Sequence, residues 1–292
     1  MMKSSRLTIV TAVFLLLCAN LMQAQTQPAT APACLMNTEQ FWLTSKNMEG
    51  ENYLIQVSLP YDYATSGLSY PVLYFPDGDV AFGLIKGIVD MLQIGQNNRD
   101  IIVVGIGYGQ GFNTWATKRT RDLSPDRDTG AFARQFKDLG WADKFIRFMK
   151  DELFPVVNKN YRTIPDSCAI SGGSFSGLFN SYVLCTQPEL FKGYIIFSPS
   201  LEWNNQSILK YESEYFKNHK ELNCKVFIGY ASRDIPASME PIKEFIRVLQ
   251  MHDYQGLELS TRVFEGETHL SVPSFALTTG LKTLFWPVDR WR

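Results

Sequence analysis

Short apolar runs recur along the chain and alternate with segments of helical period, and this pattern limits the fold more than any other feature. β-rich runs stand at residues 53–59, 71–75, 101–105, 167–170, 194–197, 226–229 and 260–264. Several are continuously apolar, as expected of strands buried on both faces. Between them, Trp141, Phe145 and Phe148 fall at i, i+4, i+7. Ile242, Phe245, Ile246 and Leu249 repeat that spacing, as do Leu277, Leu281 and Leu284. Strands alternating with amphipathic helices predict an α/β fold, a mostly parallel central sheet with helices on both faces. The first strands have no helix between them, so the sheet is expected to begin antiparallel. Residues 106–137 show little periodicity and read as a long binding loop near the site.

The N-terminus reads separately. Lys3 and Arg6 precede an apolar run over residues 7–17, followed by Met22-Gln23-Ala24-Gln25. This is the pattern of a signal peptide over residues 1–24, and it predicts an exported protein, periplasmic or secreted. The run is shorter than the roughly 20 residues a membrane span requires. Residues 25–38 are polar and read as a tether, leaving 39–292 as one catalytic domain. A formal net charge of −1 argues against a nucleic-acid partner. Cys168 and Cys185 lie in apolar segments and read as buried thiols, so no disulfide framework is expected.

Chemistry concentrates at Ser171-Gly172-Gly173-Ser174-Phe175-Ser176-Gly177, where a buried strand runs into a helix. This is the context of a nucleophile elbow, a sharp turn that lifts one hydroxyl above the sheet. Small residues are needed at positions 172 and 176, two either side of the serine. Position 176 holds serine in place of the usual glycine. The chain has only three histidines. His219 lies in a charged stretch and His252 closes a helix, whereas His269 follows a strand, where active-site loops gather in open α/β sheets. Asp234, after the 226–229 strand, is the expected acid, with Glu240 or a Ser–His dyad as alternatives. The order Ser174, Asp234, His269 is that of α/β hydrolases. The N–H of Phe175 and the backbone of Gly78 and Asp79 are the candidate oxyanion donors, with Gly78 allowing close approach to substrate. Tyr108, Trp115, Arg119, Arg121 and Trp203 are candidate substrate contacts. The scattered histidines predict no metal site, and no phosphate loop or dinucleotide fingerprint predicts a cofactor.

These segments resemble the putative esterase family, which includes esterase D and the enterobactin-type siderophore esterases, from about Gln40 to Trp286. The resemblance rests on residues 70–79, on Val103-Val104-Gly105-Ile106-Gly107-Tyr108, and on residues 119–125. It rests also on the elbow, on Phe197-Ser198-Pro199-Ser200-Leu201-Glu202-Trp203, and on His269-Leu270-Ser271-Val272-Pro273. It implies the α/β-hydrolase fold and an exported serine esterase that works through an acyl-enzyme on a small-molecule or polysaccharide-linked ester. Ser176 and Glu202 depart from the family's pattern and touch the shape of the site. The same residues are compatible with an acyltransferase or with a non-catalytic ligand-binding member of the fold.

Overall fold

The computed structural model describes residues 34–95, 98–128, 130 and 133–285. The expected signal peptide, most of the tether and Trp286 lie outside them. The strands are β1 (Thr38–Thr44), β2 (Asn52–Ser58), β3 (Tyr70–Pro76), β4 (Ile102–Gly107), β5 (Thr163–Ser174), β6 (Gly193–Pro199), β7 (Glu221–Arg233) and β8 (Gln255–Thr268). They form an eight-stranded sheet in the order β1-β2-β4-β3-β5-β6-β7-β8. β1 pairs with β2 and β2 with β4 in antiparallel fashion, and from β4 to β8 every pairing is parallel. The antiparallel start is therefore present. β1 is not among the expected strands, because its apolar run is only the three residues Phe41-Trp42-Leu43 and none of its residues is buried.

The helices are α1 (Tyr63–Ser66), α2 (Gly78–Ile94), α3 (Phe112–Leu123), α4 (Ala142–Phe148), α5 (Phe154–Asn160), α6 (Phe175–Leu184), α7 (Trp203–Asn218), α8 (Pro236–His252) and α9 (Val272–Phe285). Alternate residues of each central strand enter different cores, as the period of two requires. Tyr70, Val72 and Tyr74 of β3 face one side with Phe145, Phe179 and Phe245. Leu73 and Phe75 face the other with Phe82 and Ile85 of α2 and Leu277 and Leu281 of α9.

The expected loop over residues 106–137 is corrected here, because it contains α3. The inward residues of this helix are Arg119, Thr120, Asp122 and Leu123. Three of these four are polar, and the two charged ones, Arg119 and Asp122, are each held by an ion pair, so a search for apolar periodicity passes over the helix.

Candidate active site

The expected site residues gather at the carboxyl ends of the parallel strands. Ser174 ends β5, Asp234 follows β7 and His269 follows β8. Ser174 adopts φ 56°, ψ −123°, a left-handed conformation that a serine occupies only when its surroundings impose it. The imposition is visible at neighbouring glycines. A Cβ on Gly172 would lie 2.5 Å from the Cβ of Ser176 and 2.9 Å from its carbonyl carbon. One on Gly177 would lie 3.0 Å from Pro199 Cα. The strand and helix meet too closely for side chains at those positions.

His269 Nδ1 lies 2.7 Å from Asp234 Oδ1. The other carboxylate oxygen accepts hydrogen bonds from Ser198 Oγ and from the amide of Ala231. The amide of Ile235 donates to Oδ1 at 2.8 Å. Burial pushes this carboxyl upward, but the bonds from His269, Ser198 and Ile235 outweigh it and hold Asp234 below the ordinary carboxylate range. An imidazole whose Nδ1–H is held by a carboxylate presents its Nε2 lone pair as the base. Glu240, the alternative acid, pairs with Lys243 on the surface of α8. His219 bonds the carbonyl of Tyr215, and His252 bonds Glu212.

Ser174 and His269 line the same cavity, of about 300 Å³. Its apolar walls include Val80, Leu84 and Ile85 from α2, and Leu270, Pro273 and Leu277 beyond β8. Ser200 Oγ stands 3.3 Å from Ser174 Oγ, and the Ser200 amide donates to the Ser174 carbonyl.

The turn after β3 is built around Asp77, at φ 74°. Arg119 Nε and Nη2 donate to its two carboxylate oxygens at 2.6 and 2.7 Å, and Trp115 Nε1 donates at 2.8 Å. Ser176 Oγ donates to the same carboxylate. The departure at position 176 thus has a structural use, since its hydroxyl ties the elbow to the β3 turn. Asp79 accepts from the amides of Tyr108 and Gly109, each at 2.6 Å, and anchors the end of β4. The hydrogen bonds of α2 begin with Val80 and Ala81 donating to the Asp77 carbonyl, so the amides of Gly78 and Asp79 precede them. Phe175 is the first residue of α6. Position 78 also needs a glycine for packing. A Cβ there would lie 3.0 Å from the Ile106 carbonyl carbon and 3.1 Å from the Gly107 amide, so the small residue is needed against β4.

Of the five expected substrate contacts, only Arg119 is among the lining residues of the cavity. Trp115 serves the Asp77 cluster. Tyr108 and Arg121 bond the fully buried Asp122, together with Tyr53. Trp203 donates to Asp126 and packs edge-on against Phe175. These four donate to carboxylates instead, Asp122 fully buried and Asp77 and Asp126 partly so, because a carboxylate withdrawn from water requires donors. Asp77, Ser198 and Ser200 were not singled out from the sequence. Ser198 and Ser200 do lie in the 197–203 segment after β6, next to the elbow strand, and that placement was the available signal.

Residues 45–236 match the model of the putative esterase family. The chain is 29% identical over 267 residues to the ferri-bacillibactin esterase BesA of Bacillus subtilis (strain 168), covering 86% of this chain and 90% of that protein. It is 29% identical over 290 residues to a siderophore triacetylfusarinine C esterase of Aspergillus fumigatus, covering 88% and 96%. The crystal structure of BES protein from Bacillus cereus superposes with a TM-score of 0.80 at 28% identity, covering 90% of this chain and 100% of that one. The chain belongs to the putative esterase family and is a carboxylic ester hydrolase of the α/β-hydrolase fold.

Proposed function

We propose that the chain is an exported esterase in which Ser174, His269 and Asp234 act as nucleophile, base and orienting acid. One observation carries this reading. A serine held at φ 56° on a strand-to-helix turn lines the same cavity as an imidazole bonded to a buried carboxylate.

His269 Nε2 takes the proton of Ser174 as Oγ attacks the ester carbonyl. The amides of Phe175, Gly78 and Asp79, each in the first turn of a helix, are the donors for the oxyanion. Asp234 balances the charge on the imidazolium, and Ser198 keeps the carboxylate oriented. The imidazolium then protonates the departing alcohol. Water, activated by the same base, releases the acid from the acyl-enzyme. The substrate is a small-molecule ester, and the relatives named as siderophore esterases support that class. Export rests on the basic and apolar pattern of the first 24 residues.

A fluorophosphonate probe tests the nucleophile. It should label the wild-type protein and not Ser174→Ala; equal labelling of both would remove Ser174 from the chemistry. Fractionation of cells expressing the full chain tests export, and retention of an unprocessed protein in the cytoplasm would refute it.

A further inference from the structure

We infer that the ester accepted at this site carries an uncharged acyl chain, whose first carbons fill the cavity beside Ser174 and whose distal carbons lie along a groove between α2 and α9. The inference rests on the nucleophile reading above and adds the substrate class.

The first observation is the composition of the walls. Val80, Leu84, Ile85, Leu270, Pro273 and Leu277 offer no hydrogen-bonding side chain to a ligand. The charged groups on the cavity wall are Asp77, Arg119 and His269. Asp77 and Arg119 satisfy each other through two hydrogen bonds, and His269 is held by Asp234. Among the described lining residues no unpaired cation remains to receive an anionic substituent. Ser171 Oγ on the wall is buried without a hydrogen-bond partner, but a neutral hydroxyl balances no charge, and a carboxylate or phenolate desolvated there would have no counter-charge.

Size is the second observation. A dry cavity of about 150 Å³ accepts benzene. The 300 Å³ here is twice that and suits an acyl arm of about six to ten carbons at the nucleophile.

The third lies on the outer side of α2. Its buried face already comprises Phe82, Ile85, Val89 and Leu92. A second apolar stripe faces solvent, with Val80 53%, Leu84 40%, Met91 69% and Ile94 61% exposed. These positions run i, i+4, i+11, i+14, and Gly87 holds i+7. A Cβ on Gly83 or Gly87 would meet nothing within 4 Å, so neither packing nor a left-handed φ calls for glycine there. Glycine within a helix lowers its stability relative to alanine. What the two glycines do provide is the floor of a groove of about 340 Å³, lined also by Leu84, Ile88, Met91 and Thr278. Leu84 borders both this groove and the catalytic cavity. The apolar surface is therefore continuous from the nucleophile outward, and the occupant that begins at Ser174 is the substrate's own chain.

The experiment compares kcat/KM on p-nitrophenyl butyrate, octanoate and dodecanoate for the wild type, Leu84→Asp and Gly87→Leu, with fluorophosphonate labelling and Tm measured alongside. Each methylene that enters the cavity should raise kcat/KM by up to about fourfold. Gly87→Leu fills the groove while favouring the helix. It should lower the dodecanoate-to-butyrate ratio at least tenfold without lowering Tm. Leu84→Asp should lower the octanoate-to-butyrate ratio, and a p-nitrophenyl half-ester of glutaric acid should be a poorer substrate than the butyrate. With labelling intact, a flat chain-length profile, an unchanged ratio in Gly87→Leu, or preference for the anionic half-ester would overturn the acyl-chain inference alone. Absence of both labelling and turnover at every length would overturn the nucleophile reading and this inference with it.

Discussion

Asp234→Asn separates an orienting carboxylate from a merely structural one. The wild-type carboxylate accepts on both oxygens, from His269 Nδ1 and the Ile235 amide at Oδ1, and from Ser198 and the Ala231 amide at Oδ2. An asparagine amide keeps one acceptor and turns the other into a donor. If its oxygen stays with Ser198 and Ala231, its NH₂ faces His269 and Ile235. The imidazole must then accept at Nδ1 and carry its proton on Nε2, which abolishes the base. If the amide turns over, the NH₂ opposes the Ala231 N–H, although the Ser198 hydroxyl can rotate. The first arrangement leaves one donor facing a donor at Ile235, and so does the second at Ala231. The tautomer shift by itself therefore accounts for only part of the loss, and the larger part comes from the missing carboxylate charge, which no longer stabilises the imidazolium formed as Ser174 is deprotonated. The same change in a serine protease triad costs about 10⁴ in kcat, equivalent to about 5 kcal/mol of barrier. We expect a loss of about 10³–10⁴ in kcat on p-nitrophenyl butyrate, with KM changed less than threefold. Fluorophosphonate labelling should slow in parallel. A loss below tenfold in a folded variant would refute the role assigned to Asp234.

Three further outcomes follow from the geometry. Arg119→Ala leaves the Asp77 carboxylate with only Trp115 and Ser176 as donors. It should destabilise the protein by about 3–5 kcal/mol, measured by urea unfolding, and an effect confined to KM for charged esters would contradict this structural role. Asp234 is held below the ordinary carboxylate value of about 3.9, so its contribution is complete above that pH. It is lost as the pH falls through the folded value, and unfolding free energies from pH 5 to pH 2 should decline less steeply in Asp234→Asn. Burial raises the Cys168 thiol to about 11 and the Cys224 thiol to about 12. Neither should react with a disulfide reagent at pH 8 until the protein is unfolded, as shown by mass mapping of the modified residues.

Much of the site was legible because its chemistry is written locally. The elbow is a run of adjacent small residues around Ser174, and its strand and helix contexts announce themselves by apolar period. His269 emerged by elimination among three histidines, and Asp234 by its place after a strand. The network behind them was not legible. Ser198 reaches Asp234 across 36 residues, and Ser176 reaches Asp77 across 99. No local pattern records such pairings. The proposed substrate contacts illustrate the same limit. Tyr108, Arg121 and Trp203 are residue types that often bind ligands, but here they donate to carboxylates of the protein, Asp122 and Asp126.

By itself the sequence determined the alternation of strand and helix, and hence a parallel sheet whose strand ends collect the reactive groups. Periodicity and backbone sterics act over a few residues, and a few residues suffice to read them. Only the tertiary structure decided that the inner face of α3 is held by ion pairs, that Gly78 must be small against β4, and that the wall beside Ser174 is mostly apolar. Those outcomes depend on which distant side chains share a volume from which water is excluded, and that is settled only when the chain closes on itself.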